Sequence, residues 1–436
     1  MLSPELHQDK IPDIFQRFSE AIDEMNWINR ATVVRAEIES KPHLREVLLE
    51  QNRVVLTLEE CSQAAARHGG RLPWLLTSEN RLIEAFVFAW QAVQLLDAAR
   101  TINNKRARIL ASRLIEAIRE PRMLQAMQLE AQVAIHFIVA GRRVVFPELG
   151  SGRENFDLLV EDIGPKGLEI ECKFVTHDKG RKIHRIEARD CLDRLQATEG
   201  IQLAARKHGR GLGMRITVPG KLPAKELLDD FCRGVSDVLI SGKSGELSDG
   251  TRVQMVDFSP SVLGPLTRPV SSQTLEAVNQ ILGKHNAHSM IFAANGAKHG
   301  VVVVILESAQ PDSMLHELFS TYCESAGRQL TGTRPGALFS IFEGLGSDQL
   351  ASITKDEGEN GNYSALAWKA SAFLQRSEYP HVVGVGFLSE PDYSTHETAA
   401  SGLAYWIPKP ISPMWSNDFS GLFGRDPRKA VAQIPG

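Results

Sequence analysis

Two stretches of the 436-residue chain carry residue types that could do chemistry together. The first reads Asn155-Phe156-Asp157-Leu158-Leu159-Val160, the second Leu168-Glu169-Ile170-Glu171-Cys172-Lys173-Phe174-Val175. As a strand, the second puts Glu169, Glu171 and Lys173 on one face and Leu168, Ile170, Cys172 and Phe174 on the other, the core face. The turn Gly164-Pro165-Lys166-Gly167 lets the two stretches pair as a hairpin, which stands Asp157 beside Glu171 and Lys173. Two carboxylates with carbonyl and water ligands suit a hard divalent ion such as Mg²⁺. Such an ion polarises a phosphate oxygen and acidifies a bound water. A neighbouring ammonium stabilises developing negative charge or orients the attacking water. The plainer reading of the same residues is a solvated hairpin face with a cross-strand salt bridge, worth little energetically.

A further acid comes from the segment before the hairpin. Pro121 suits a first helical turn and Gly141 a C-terminal stop, so a helix is expected over residues 122–140. Met123, Met127, Glu130, Ala134 and Phe137 form one stripe at helical spacing. A carboxylate buried there needs a metal, a lysine or hydrogen bonds, and a helix packed on the hairpin aims Glu130 at the same cluster. A slightly rotated helix puts Glu130 at a wet edge instead, because Ala126, Leu129, Val133 and Ala140 form a neighbouring apolar face.

A basic run, Lys179-Gly180-Arg181-Lys182-Ile183-His184-Arg185, closely follows the Glu171/Lys173 strand. From Lys173 to Arg215 there are eleven basic and five acidic residues, in a chain whose formal net charge is −4. Loops of this kind contact phosphates without reading bases, so Lys179, Arg181, Lys182 and Arg185 are expected to meet nucleic acid. Arg189, Asp190, Asp193 and Arg194 read as a solvated helix face of paired charges.

The elements that must position these groups follow from periodicity. Residues 1–120 read as helices, over 11–29, 44–51, 58–68, 79–99 and 105–119, with Thr57 and Glu60 as a capping box. After the helix at 122–140, strands are expected at 143–146, 156–161 and 168–174, then a helix at 187–208 and a strand at 214–218. Beyond residue 220 the pattern is mixed α/β. Helices are expected near 224–240, 314–326 and 365–376, and strands near 253–258, 289–292, 301–306, 337–342, 382–387 and 403–407. The proline-bearing tail after Ile407 is expected to be loop-like. Three regions result: 1–120, 121–220 and 221–436.

Glu-x-Lys alone should occur about once by chance in a chain this long. The conjunction carries more: helix, strand, strand with Asp, strand with Glu-x-Lys, helix, strand. Over about residues 121–220 this order resembles the PD-(D/E)XK nuclease superfamily, the restriction-endonuclease-like fold. Asp157, Glu171 and Lys173 are the matching positions, with Glu130 where many members carry a helical acid. Phe156 stands where the family's Pro precedes the Asp, and the following helix lacks the Gln-x-x-x-Tyr signature of the RecB-like branch. The resemblance implies an α/β (α+β mixed) chain with a helical N-terminal region, an αβββαβ core and an α/β C-terminal region. It implies metal-dependent cleavage of phosphodiester bonds, with DNA expected ahead of RNA as the nucleic acid and the choice left open by the sequence. Asp157 and Glu171 would bind Mg²⁺ or Mn²⁺, and Lys173 would aid the attacking water. The rival reading is a non-catalytic nucleic-acid-binding or protein-interaction scaffold with a nuclease-like fold. The flanking regions are left with three roles: positioning nucleic acid, recognising a partner protein, or forming a homo-oligomer.

Composition removes other classes. With 49 Lys+Arg against 53 Asp+Glu, the whole surface is not a polyanion glue. The longest apolar runs, 85–90 and 301–306, fall far short of the ~18 residues of a spanning helix, and the N-terminus has no apolar signal core. No membrane partner is expected. Cys61, Cys172, Cys191, Cys232 and Cys323 are scattered with no CxxC pair, which argues against a disulfide scaffold or zinc ribbon and fits the cytoplasm. His136 reads as a satisfied core or boundary histidine. Gly242-Lys243-Ser244 lacks the earlier glycine of a P-loop, and Gly384-Val385-Gly386 the third glycine of a dinucleotide loop.

Overall fold

The computed structural model describes residues 6–147, 154–206, 209–264, 266, 271–283, 288–293, 300–355, 364–390 and 403–422. The chain is mixed α/β, as expected, and forms two compact units. The first comprises Met1–Ser40, Leu48–Lys179 and Leu315–Gly436, the second Lys41–Val47 and Gly180–Met314. Strands in chain order are β1 (Val144–Val145), β2 (Leu158–Val160), β3 (Leu168–Val175), β4 (Gly211–Val218), β5 (Gly245–Glu246), β6 (Arg252–Phe258), β7 (His288–Ala293), β8 (Val301–Ser308), β9 (Gly336–Phe342), β10 (Val382–Leu388) and β11 (Ala404–Pro408).

The boundaries expected near 120 and 220 do not delimit these units. The segment 121–179 joins the N-terminal helices and the last third of the chain, and the second unit is an insertion after β3. The ends of that insertion meet. Ser313 donates to the Gly180 carbonyl through its backbone N–H at 3.0 Å and its hydroxyl at 3.3 Å.

In the first unit the helix expected over 11–29 is two helices, Ile11–Ile22 and Met25–Ser40. Asp23 breaks it with φ +63°, and its Oδ1 accepts from the Met25 N–H at 3.1 Å. The capping box at Thr57 is not formed. The helix begins at Arg53, and the Thr57 hydroxyl donates back to the Arg53 carbonyl at 2.8 Å, the bond a mid-helix threonine can make. Ile83–Ile102 is buried nearly all round, as its uniform apolar character requires. Trp27 is fully buried and stacks on Phe18 with ring centroids 5.3 Å apart.

The sheet of this unit has the order β1-β2-β3-β9-β10-β11. β1, β2 and β3 are antiparallel neighbours, β9 runs parallel to β3 and β10 parallel to β9, and β11 closes antiparallel. One face packs Ile170, Ala337 and Phe339 into the core shared with the helix Pro121–Val139. The other packs Leu338, Phe342 and Phe387 with Phe319 and Tyr322 of the helix Met314–Arg328.

The expected neighbour of β3 was the strand at 214–218. That strand, β4, belongs to the second unit, and β9 lies beside β3 instead. All seven residues of β9 are buried, as an internal parallel strand between two layers must be. β4 leaves Leu212, Arg215 and Thr217 half-buried.

The turn from β2 to β3 depends on Gly167. Its φ is +77°, and a Cβ there would stand 2.9 Å from the Val160 carbonyl oxygen. Gly167→Ala is therefore expected to cost about 1–3 kcal/mol in urea unfolding. Gly69→Ala should cost less, because Gly69 has a similar φ of +73° with nothing within 4 Å.

The second unit is a five-stranded sheet of order β5-β6-β4-β8-β7, with β4 and β8 parallel and the other pairs antiparallel. Arg185–Gln196, Glu199–Ala205 and Leu228–Ser241 contribute to the core on one face, and Ser272–Leu282 to the core on the other. The single helix expected over 187–208 is thus two; Lys207 and His208 lie outside the described residues, as do Pro427 and Pro435 of the tail. The charges expected to pair along one helix reach other segments instead. Asp190 Oδ1 lies 2.6 Å from His43 Nε2, Arg189 Nη2 3.4 Å from Glu46, and Arg194 Nη1 2.5 Å from Asp229. All five cysteines are free. No described helix is long and apolar enough to cross a membrane.

Candidate active site

β2 and β3 pair with Leu158 opposite Ile170. Asp157 is the residue just before β2 and follows on from this pair. Asp157 Oδ2 accepts a 2.7 Å hydrogen bond from the backbone N–H of Cys172, between the other two site residues. Lys173 Nζ donates to Glu171 Oε1 at 2.5 Å and to Gln329 Oε1 at 3.0 Å. Glu171 and Lys173 thus meet directly on β3, and Asp157 meets the β3 backbone at Cys172.

The face is not the solvated one of the plainer reading. Glu171 is 1% exposed and Asp157 8%, while the Lys173 side chain keeps 23%. The parallel neighbour explains this. β9 sets Leu338 opposite Glu171 and Ser340 opposite Lys173. Tyr322, fully buried, donates its hydroxyl proton to Ser340 Oγ at 2.6 Å. Glu169, also on this face, accepts from Thr331 N–H at 2.8 Å and its hydroxyl at 2.5 Å, with Arg334 at 3.5 Å. Burial pushes the Glu169 carboxyl up, opposed by those Thr331 bonds and by Arg334. Glu169 is thus an anchor for the 331–334 turn.

Glu130 is buried on the helix Pro121–Val139, and its Oε2 accepts from Arg113 Nη2 at 3.2 Å. The partner that burial demands includes an arginine of the preceding helix, Asn104–Arg119, the hydrogen-bonding option among those expected. The helix of Glu130 packs on the Ile170 and Cys172 face of β3, so Glu130 is not aimed at Glu171 and Lys173 as expected. Burial pushes the Cys172 thiol well above its ordinary value, and Asp157, Glu130 and Glu171 push the same way while Lys173 opposes.

The donors are all oxygen, the chemistry hard Mg²⁺ or Mn²⁺ prefers. A carboxylate carries about four lone-pair sites, so accepting one hydrogen bond leaves it able to ligate a cation. Asp157 and Glu171 are the carboxylates that could hold such an ion, with the Lys173 ammonium on Glu171.

Gln329 and Arg113 were not legible as site residues. Gln329 is 156 positions from Lys173, and no local pattern joins them. Among the basic residues, Lys179 lies in the first unit and donates to Thr321 Oγ1 at 3.0 Å. Arg181, Lys182 and Arg185 lie in the second, where Arg181 Nε is 3.8 Å from Asp312. All four are half-buried. His136 is the boundary histidine expected: Nε2 lies 2.5 Å from the Leu422 carbonyl, and burial holds its pKa down. Of the tryptophans, Trp74 and Trp368 are exposed. No family model, no curated protein and no solved structure matches this chain.

Proposed function

We propose that this chain is a metal-dependent nuclease hydrolysing phosphodiester bonds, in DNA rather than RNA. The observation that carries the reading is the Asp157 carboxylate accepting from the Cys172 N–H, between Glu171 and the Lys173 paired with it. The order Pro121–Val139, β1, β2, β3, Met314–Arg328, β9 supports an αβββαβ core. On this reading the second unit is an insertion between the third strand and the second helix.

Asp157 and Glu171 would hold Mg²⁺ or Mn²⁺. Such an ion, when bound, polarises a phosphate oxygen and acidifies a coordinated water. Lys173 presents its ammonium to the negative charge that develops on the phosphate and orients the attacking water. Glu171 and Gln329 together restrain that ammonium, so its direction is set before substrate arrives. Glu130, held by Arg113, comes from the helix packed on the Ile170 face of β3 rather than the Glu171 face. Of the basic run, Lys179 is in the same unit as Asp157, Glu171 and Lys173 and is the residue that would contact phosphates there.

Titration calorimetry with Mn²⁺, beside cleavage assays on DNA and RNA, tests the reading. Binding that is lost in Asp157→Asn and Glu171→Gln, together with cleavage, supports it. The near-complete burial of Glu171 on its lysine favours the scaffold alternative, which predicts neither metal heat nor cleavage.

Gln329→Ala should slow single-turnover cleavage about tenfold to a hundredfold, the size of effect that misplacing a reacting group produces. Affinity for uncleaved DNA in Ca²⁺ should stay within about twofold, because Gln329 acts through Lys173. Gln329→Glu keeps an acceptor for the ammonium and should recover part of the rate.

A further inference from the structure

Three donors lie together where the parallel strands end. His177 follows β3, Glu343 follows β9, and Glu50 comes from the helix Arg45–Gln51. One ligand atom from each lies within 4.8 Å of the others; Glu50 is exposed and the other two half-buried. We propose that Glu50, His177 and Glu343 form a second divalent-cation site, of the zinc class, distinct from the Asp157 and Glu171 carboxylates.

The imidazole sets this group apart from an ordinary acidic surface. Imidazole with carboxylates suits Zn²⁺ and its neighbours, whereas Mg²⁺ takes oxygen alone. Zinc bonds of about 2.1 Å in a tetrahedron put ligand atoms about 3.4 Å apart. The spread of up to 4.8 Å closes by about 1.4 Å when the ion binds, and Glu50 is the exposed member of the three. The other two ligands are already held. Glu343 Oε2 accepts the His177 backbone N–H at 2.8 Å. The His177 ring packs on Gly344, where a Cβ would stand 2.7 Å from Cε1.

The surroundings call for positive charge. Glu50 and Glu343 also line a cleft of about 120 Å³, with Arg53, Glu84, Gln128 and Glu390. Arg53 pairs with Glu84. The cleft thus holds four carboxylates and one guanidinium. Glu390 accepts the Gly344 N–H at 2.8 Å, which sets its carboxylate by the Glu343 segment. A dication on Glu50, His177 and Glu343 offsets the repulsion among these carboxylates. The three ligands leave at least one coordination position for water or a ligand atom, and the site is placed at the carboxyl ends of parallel strands, where open α/β sheets bind ligands.

The proposal does not rest on the nuclease reading, and its test is built to stay separate. Zinc chloride is titrated calorimetrically into the full chain carrying Asp157→Asn and Glu171→Gln, which removes the other carboxylate pair. One zinc equivalent is expected. His177→Ala in this background should abolish it, and Glu343→Gln or Glu50→Gln should weaken it by about tenfold or more. Zinc X-ray absorption on the loaded parent needs no variant to fold, and should show one imidazole with oxygen ligands at about 2.0–2.2 Å. Binding unchanged in folded His177→Ala, no equivalent bound by the parent, or a sulfur ligand in the absorption spectrum overturns the proposal.

Discussion

Asp157→Ala, Glu171→Ala and Lys173→Ala are each expected to lower metal-dependent DNA cleavage by at least about a hundredfold, with the fold retained by circular dichroism. The three act as a unit, so combining them should cost little more than the worst single change. Stability separates their roles. Lys173→Ala leaves Glu171, 1% exposed, without its 2.5 Å ammonium partner. Breaking a buried pair from one side costs about 3–5 kcal/mol. The double change Glu171→Gln/Lys173→Met removes both charges and should regain most of that stability while remaining inactive. Full cleavage by all three purified single variants would sink the nuclease assignment.

Trp27→Ala should produce the largest loss of stability away from the site, about 3–5 kcal/mol, read as a lower urea midpoint at unchanged slope. Trp27 is fully buried against Phe15 and Phe18, and its indole N–H donates to Ser62 Oγ at 3.0 Å. Removing the ring opens a cavity and leaves a buried hydroxyl without that donor. Trp74→Ala is the control. Its side chain is 60% exposed, so the change should stay within about 0.5 kcal/mol. Equal losses at the two positions would contradict the packing described for the N-terminal helices.

The two sites differ in how far local pattern reveals them. Glu171 and Lys173 share a face of one strand and Asp157 immediately precedes its hairpin partner, so period-two alternation and one short turn already place them near one another in sequence. Glu130 was legible as a buried acid because its helix is apolar around it, but its Arg113 partner was not, since helix packing chooses which side chains meet. Gln329 restrains Lys173 only because β9 returns beside β3. Glu50, His177 and Glu343 carry no shared motif and meet through three separate elements. The expected spread of charge pairs along 189–194 failed for a like reason: i,i+4 geometry describes an isolated helix, and Asp229, Glu46 and His43 were nearer partners.

By itself the amino-acid sequence determined where helices and strands form, which faces of them are apolar, and the hairpin that carries two acids and a lysine. Hydrophobic period and turn residues act over a few positions, and they decide those features locally. The tertiary structure alone decided that β4 leaves for a second sheet, that β9 takes the place beside β3, and that residues 180–314 form a closed insertion. Strands of similar apolar character can satisfy their backbone groups with many partners. The choice among them is made by burial summed over the whole chain.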